Sequence, residues 1–320
     1  MAQWPLVPRP GPRPRNRHPT AEDTHMTGTT RVAVATSALG LAHDSDLPVL
    51  LEALRARGLE AEAADWSEPD HDWSRYSAVA IRSTWDYALR RPAFLAWADA
   101  VEAATLLDNP ADVVRWNTDK RYLHDLADRG VPVVPTQFAA PGEDVRLPGE
   151  GHFVVKPSVS AGAQDTARYA PHQCDLAAAH AAALHASGRT VMVQPYLSRI
   201  DEGERALVFL GGVFSHAIRK GPVLTETGLD NTRAPHPGLA PHRPSAPERE
   251  LARAALAAVP ADRPLLYARV DIATADDGRP VVMELELVEP DLFLGHSADG
   301  AARLAGLIRD RAAATARPRA

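Results

Sequence analysis

At 320 residues the chain exceeds one small core and has room for two or three subdomains, with 45% hydrophobic and 24% charged residues as in ordinary globular proteins. The net charge of −6 carries no basic face that would recruit nucleic acid, and no stretch reaches the roughly 18 apolar residues of a membrane span. The single cysteine, Cys174, excludes an internal disulfide framework and fits a reducing cytoplasm.

Residues 1–25 alternate proline (Pro5, Pro8, Pro10, Pro12, Pro14, Pro19) with Arg9, Arg13, Arg15 and Arg17 and offer almost nothing to bury, which predicts a disordered extension. Arg31–Thr36 then reads as a buried strand. A helix follows, with Asp46 as N-cap, Pro48 in its first turn, Leu47, Leu50, Leu51 and Leu54 on one face, and Gly58 as its stop. Ala78–Ile81 and Thr105–Asn109 read as further strands, so residues 26–116 predict a small parallel α/β domain. Arg82, Ser83, Thr84 and Asp86 cluster at the carboxyl end of such a strand, where open sheets present ligands. The alternative reading takes Trp85 and Tyr87 as packing residues and Asp86 as a helix cap.

From Asn117 the texture changes, and the predicted subdomains are 117–197 and 198–320. Thr118–Arg129 reads as a helix, His152–Pro157 as a strand, Leu176–Ser187 as an alanine-rich helix, and Thr190–Leu197 as a strand ending at a proline. Ala206–Lys220 reads as two strands around Gly211-Gly212. Gly221–Pro247 reads as a long loop able to act as a lid, and Ser245-x-x-Glu248 as a capping box that opens a helix to Val259. A terminal helix spans Ala298–Ala314.

Between them lies a period-two hairpin, Ala268–Ile272 and Val281–Pro290, with its turn at Ala275–Arg279. It brings Asp271, Glu284 and Glu286 together with Arg269 among apolar neighbours. Carboxylates in such surroundings repel one another unless a cation sits among them. Oxygen ligands without His or Cys favour a hard ion such as Mg²⁺, which completes its shell with phosphate oxygens and water. Lys156 lies on an apolar strand ahead of the small-residue loop Ser158–Ala163, with Ser160 and Gly162, where backbone amides can approach an anion. Lys120 on a first helical turn reads equally as a surface lysine, and Arg219 with Lys220 equally as a solvated strand end. Gln194, Pro195, Tyr196 and Leu197 can offer backbone groups to a base and Glu204 can hold ribose hydroxyls, or these are a strand end and a surface carboxylate. The P-loop and dinucleotide fingerprints, H-E-x-x-H and G-x-S-x-G are all absent.

The ordered set Lys120, Val154-Val-Lys156-Pro157 with its loop, Gln194–Leu197, Glu204, Arg269-x-Asp271 and Glu284-x-Glu286 resembles the ATP-grasp superfamily from Asn117 to the C-terminus. The resemblance implies an ATP-grasp fold, α+β in its C-terminal part, behind a small parallel α/β domain. It implies that Lys120 and Lys156 hold nucleotide phosphates, that Gln194–Leu197 contact adenine, and that Asp271, Glu284 and Glu286 bind Mg²⁺ or Mn²⁺, with Arg269 near an acyl phosphate. One departure is Glu286, where the superfamily commonly has Asn. Ile81–Tyr87, Trp116-Asn117-x-x-Lys120 and Glu284–Pro290 are similar to the cyclo-ligases of the cycloserine pathway, which close O-ureido-serine. The implied activity is ADP-forming ligation of a small-molecule carboxylate by a monomer or homodimer. A small-molecule kinase on the same fold, or a nucleotide-binding regulatory protein without turnover, would share these motifs. Glu289 is a further acid with no assigned role.

Overall fold

The structure, a computed structural model, describes residues 30–224, 226–229, 231 and 238–315; the expected extension 1–25 and parts of the expected lid lie outside the described residues. Alternating apolar residues build the first layer. Strands β1 (Arg31–Thr36), β2 (Glu60–Asp65), β3 (Ala78–Ile81) and β4 (Leu106–Asp108) form a parallel sheet ordered β2-β1-β3-β4. Val32, Val34, Ala78 and Ala80 face one side, against helix α2 (Asp46–Arg55) and the last helix, α8 (Gly300–Thr315). Ala33, Ala35, Val79 and Ile81 face the other, against α3 (Arg91–Ala104) and α4 (Ala111–Asn117). A sheet buried on both faces by helices is the expected outcome of βαβ connections.

Three details differ from the sequence reading. A short helix, α1 (Ala38–His43), capped by Ser37, precedes α2. Asp46 is the first residue inside α2 and not its cap, and its carboxylate accepts the backbone amides of Leu292 and Leu294 at 3.0 and 2.8 Å. The helix expected from Thr118 begins at α5 (Tyr122–Asp128). The residues before it form a turn in which the Lys120 amide donates to the Ser158 carbonyl at 2.8 Å, drawing Lys120 toward the phosphate loop.

The second sheet has the order β11-β7-β6-β8-β5, from β5 (Gln137–Ala139), β6 (Phe153–Pro157), β7 (Ala167–Tyr169), β8 (Val191–Pro195) and β11 (Gly228–Leu229). Helix α6 (Cys174–Ala186) covers it through Ala177, Ala181 and Leu184. The third sheet is antiparallel, in the order β12-β10-β9-β13-β14. Its strands are β9 (Glu204–Leu210), β10 (Val213–Lys220), β12 (Ala240–Pro241), β13 (Tyr267–Thr274) and β14 (Pro280–Glu286). Helix α7 (Ala246–Ala257) opens on the expected capping box of Ser245 and Glu248. Leu207 and Phe209 of β9 join α5 and α7 in one core, while Val208 and Leu210 join α2 and α8 in the other. The expected long loop is corrected in part: β11 pairs with β7 and β12 with β10, so two short strands interrupt it.

Candidate active site

The hairpin β13–β14 sets the register: Arg269 lies opposite Glu286 and Asp271 opposite Glu284, with Ala206 of β9 on the far side of Asp271. Asp271 is 2% exposed and Arg269 4%. The Arg269 Nε and Nη2 atoms donate to the two oxygens of Asp271 at 2.9 and 3.0 Å, Nη2 also reaches Glu286 Oε1, and Nη1 donates to the Asp291 carbonyl at 3.0 Å. Lys220, from β10 on the far side of β9, donates to Asp271 Oδ2 at 2.6 Å and pairs with Glu204 at 2.9 Å. Lys120 pairs with Glu284 at 2.9 Å and donates to the Ser160 carbonyl and hydroxyl at 2.9 and 3.2 Å.

Burial alone would raise every one of these carboxyls. The guanidinium of Arg269 and the ammonium of Lys220 overcome it at Asp271 and hold that carboxyl well below the usual range. Lys120 and Lys156 likewise hold Glu284 at about 2. At Glu286 burial wins: with Asp271 and Glu284 adding like charge against the pull of Arg269, its carboxyl is pushed up to about 8. Burial also lowers the pKa of the Lys156 ammonium, with Lys120 adding to the effect and Glu284 opposing it.

β14 is an edge strand; the backbone of residues 132–134 bonds to it at Val282, and side chains complete its outer edge farther on. Asn117 donates to the Leu285 carbonyl at 2.7 Å and accepts from the Leu287 amide at 2.8 Å; the Leu285 amide donates to the Tyr122 hydroxyl at 2.9 Å. Asn109 donates to the carbonyls of Tyr267 and Leu287 at 3.0 and 2.7 Å and accepts from the Leu266 amide at 2.8 Å. These buried amides hold the strand that carries Glu284 and Glu286, because each would otherwise leave a polar group unpaired. Sequence reasoning assigned neither that task; Asn117 at the end of an apolar helix, a poor place for Asn, was the available signal.

At the far end of the site, Lys156 on β6 and the loop containing Ser160 and Gly162 face Lys120 and Glu284, and Gly162 takes a φ of 62° that favours glycine. Glu204 sits across from Lys220 in register. Two groups of the Gln194–Leu197 segment are engaged within the chain. The Gln194 side chain is buried and donates to the Thr136 hydroxyl at 2.8 Å, and the Tyr196 amide is already donated to the His152 carbonyl at 2.8 Å. The Leu197 amide makes no hydrogen bond among the described residues. Pro195 ends β8 opposite Phe153, and Arg168 stacks 3.9 Å from the centroid of the Tyr196 ring.

The Arg82–Asp86 cluster separates into two kinds of residue. Ser83 and Asp86 are occupied: the Ser83 hydroxyl lies 2.7 Å from that of Thr36, and Asp86 accepts from Trp66 Nε1 at 2.8 Å and pairs with Arg90. Helix α1 fills the crevice beside Ser83 so closely that a Cβ on Gly40 would stand 2.3 Å from the Ser83 carbonyl. The crevice beside Ser83 is therefore filled by the chain itself. Arg82 and Thr84 are different. They are 1% and 0% exposed, and Arg82 Nε and Nη1 and Thr84 Oγ1 have no hydrogen-bond partner. Arg82 Nη2 lies 3.8 Å from Asp46 Oδ2, with its guanidinium 5.4 Å from the Tyr267 ring centroid.

No group of three or more His, Cys, Asp or Glu converges as a metal cage among the described residues. The reason is electrostatic: each acid is held by a cation of the chain, and Asp271 has both oxygens so engaged. The donor chemistry still fits a hard ion. Glu284 and Glu286 are 28% and 23% exposed, each bonds through one oxygen, and the second is left for an ion that takes its other ligands from phosphate and water.

Comparison with known proteins agrees with this geometry. The family model for the N-terminal domain of the D-cycloserine synthetase DcsG matches residues 32–109. The cycloserine biosynthesis protein DcsG of Streptomyces lavendulae is 42% identical over 295 residues, covering 88% of this chain and 98% of that one. The crystal structure of D-cycloserine synthetase DcsG superimposes with a TM-score of 0.82 at 41% identity, over 88% of this chain and 99% of that one. The D-alanine–D-alanine ligase of Bacillus anthracis complexed with ATP (TM-score 0.62, 16% identity, 89% and 98% covered) and the ATP-grasp ligase PsnB (0.60, 19%, 89% and 100%) share the fold. Paired acids and lysines on an ATP-grasp scaffold, together with this identity over nearly the whole relative, show that the chain belongs to the DcsG family of ATP-grasp enzymes and is an ADP-forming carbon–nitrogen ligase.

Proposed function

We propose that the enzyme activates the carboxylate of O-ureido-serine as an acyl phosphate and closes the ring by attack of the substrate's own nitrogen. The observation that carries this reading is the buried array of Arg269, Asp271, Lys220, Lys120 and Glu284, which opposes cations to acids with no Ser or Cys nucleophile among them. Such an array suits positioning and charge neutralisation of a transferring phosphoryl group. Three units, 26–116, 117–197 and 198–320, would bring substrate, nucleotide and metal ligands together, although α8 and β11 cross those limits to pack on the first and second sheets.

In this reading Lys120 and Lys156 hold the triphosphate, the Ser158–Ala163 loop wraps it, and Gln194–Leu197 border adenine, with Leu197 supplying the open amide. Glu284 and Glu286, with Asp271 once its cations turn to phosphate, would hold Mg²⁺, which when bound neutralises phosphate charge. Arg269 stabilises charge on the acyl phosphate and then on the tetrahedral oxyanion. Arg82 and Thr84 offer buried, unpaired donors to the amino-acid part of the substrate. A polar group buried without a partner costs about 1–3 kcal/mol, so a site that keeps such donors is suited to reject molecules that cannot fill them.

The test is ADP release across amino acids and O-ureido amino acids, with the product weighed by mass spectrometry. O-ureido-serine should release ADP and yield a product lighter by one water. A stable phosphorylated product would replace this reading with a kinase. Glu284→Gln should reduce substrate-dependent ADP release at least about 100-fold, the scale on which single electrostatic groups act; unchanged release would remove Glu284 from the metal site.

A further inference from the structure

A guanidinium carries five N–H donors. In Arg269 the Nε proton goes to Asp271, those of Nη2 go to Asp271 and Glu286, and one of Nη1 goes to the Asp291 carbonyl at 3.0 Å. The donor left for a transferring group is therefore the second proton of Nη1. Asp271 and Glu286 belong to the hairpin that carries Arg269, whereas the Asp291 carbonyl comes from the turn 291–294 beyond it. The Phe293 ring of that turn faces the guanidinium, its centroid 5.5 Å from Cζ. Phe293 takes a φ of 51°, a left-handed conformation that bulky side chains seldom adopt, so the surroundings have to hold it there. Asp46 does so from the first sheet's layer. Its two oxygens accept the amides on either side of Phe293, that of Leu294 at 2.8 Å and that of Leu292 at 3.0 Å. His216 Nε2 lies 2.8 Å from the Leu292 carbonyl. Asp46 is itself fixed: it opens α2, and its own amide donates to Asp44 at 2.8 Å.

We propose that Asp46 is a positioning residue for Arg269: by clamping the turn 291–294 it sets the tilt of the guanidinium and aims the remaining Nη1 proton at the phosphate being transferred. This rests on the role given to Arg269 in the ligase reading above. A guanidinium gripped along its Nε–Nη2 edge by a carboxylate can still swing about that edge, and Nη1 swings with it. The Asp291 carbonyl and the Phe293 ring stop that swing, and both are placed by the turn. Asp46 also neighbours Arg82, but at 3.8 Å from Oδ2 to Nη2 the pair is too far apart for a hydrogen bond, so the short bonds of Asp46 go to the turn. The two neighbours call for different signatures. An effect through the aim of Arg269 lowers kcat, while an effect through Arg82 raises KM for the carboxylate substrate.

Asp46→Asn keeps the size of the side chain but turns one acceptor into a donor facing an amide, which opens half of the clamp. With full-length enzyme, ATP, Mg²⁺ and O-ureido-serine, kcat for ADP release should fall about 10- to 100-fold, the scale on which a misplacement of about 1 Å acts, with KM for both substrates within about threefold of wild type. In an Arg269→Lys background, which keeps the charge but has no Nη1 to aim, Asp46→Asn should change kcat by less than about threefold, because both substitutions act through one group. Phe293→Leu, which spares the clamp and removes the ring, should show the same dependence on Arg269, and it carries the comparison if Asp46→Asn does not fold. A kcat for Asp46→Asn within about threefold of wild type overturns the proposal. So does a rise in KM for O-ureido-serine at unchanged kcat, which would put Asp46 behind Arg82. An equal loss of kcat with and without Arg269→Lys overturns it too and makes Asp46 a structural tether. If the wild-type enzyme releases no ADP with O-ureido-serine, or Arg269→Lys turns over at the wild-type rate, the reading above falls and takes this inference with it. A slow Arg269→Lys beside an undisturbed Asp46→Asn removes the inference alone.

Discussion

Two buried guanidinium groups stand on either side of the Tyr267–Phe293 region, and their surroundings are opposite. Every arm of Arg269 is occupied by Asp271, Glu286 or the Asp291 carbonyl. Arg82, equally deep, has two nitrogens without a partner and one distant carboxylate, Asp46. Both lie against aromatic rings, Arg269 5.5 Å from Phe293 and Arg82 5.4 Å from Tyr267. The first arrangement is integral to the fold, because removing a partner strands a buried charge. The second adds little to the fold and leaves donors for something else. Depth of burial therefore does not separate a structural arginine from a recognition arginine; the count of satisfied donors does.

The largest effect should follow Arg269→Ala. It strands Glu286 and leaves Asp271 with Lys220 alone, and should cost about 3–5 kcal/mol in denaturant unfolding, with ADP release falling by at least about 10³-fold. Arg82→Met should behave differently. Stability should change by no more than about 1 kcal/mol, since few bonds are lost, while kcat/KM for the carboxylate substrate should fall about 10- to 100-fold, the worth of about 1.5–3 kcal/mol of charged hydrogen bonding. ATP affinity, read by calorimetry, should be unchanged. If Arg82→Met destabilised the protein as much as Arg269→Ala, the contrast between the two residues would be broken.

A third buried arginine sharpens the contrast from outside the site. Arg205 donates to Glu248, to the Gly203 carbonyl and to the Thr274 hydroxyl, each at 2.8 Å, and is satisfied with no chemistry nearby. Burial would raise the Glu248 carboxyl, but the Ser245 amide and Arg205 hold it down at about 2, against an ordinary 4.5. A carboxyl depressed in the folded state stabilises the protein above its unfolded pKa, and that stability is lost as pH falls through the folded value. Glu248→Gln should therefore cost about 2 kcal/mol at pH 7, leave kcat unchanged, and lose its disadvantage between about pH 4.5 and 2 in thermal unfolding.

The sequence made this hairpin legible because its signal is local: period two fixes which side chains share a face, and one turn fixes the register of Arg269 on Glu286. Lys120 and Lys220 were legible as cations but their partners were not, since each partner lies on another element. β2 escaped the reading because Glu60–Asp65 has weak strand propensity and is recruited by pairing with β1. Asp46 was read as a cap from its local position, whereas its acceptors are used by residues some 246 positions away. Within Arg82–Asp86 the residue types marked a polar cluster; only packing could reveal that Ser83 and Asp86 are occupied and Arg82 is not.

The smallest predicted effect falls on Tyr267, which lies between the two arginines. Its hydroxyl is 2.5 Å from the Ile81 carbonyl and 2.7 Å from that of Val288, joining β3 of the first sheet to the segment that follows β14. One hydroxyl has one proton, so it can donate to only one of those carbonyls at a time. Tyr267→Phe thus removes one hydrogen bond and keeps the ring beneath Arg82, and should cost about 1 kcal/mol in unfolding free energy. If Arg82 acts through its own free donors, KM for the substrate should stay within about twofold in this variant. A tenfold rise in KM, with ATP affinity intact, would mean that the hydroxyl's hold on β3 sets the position of Arg82, and recognition would then depend on the junction between the sheets as much as on the guanidinium itself.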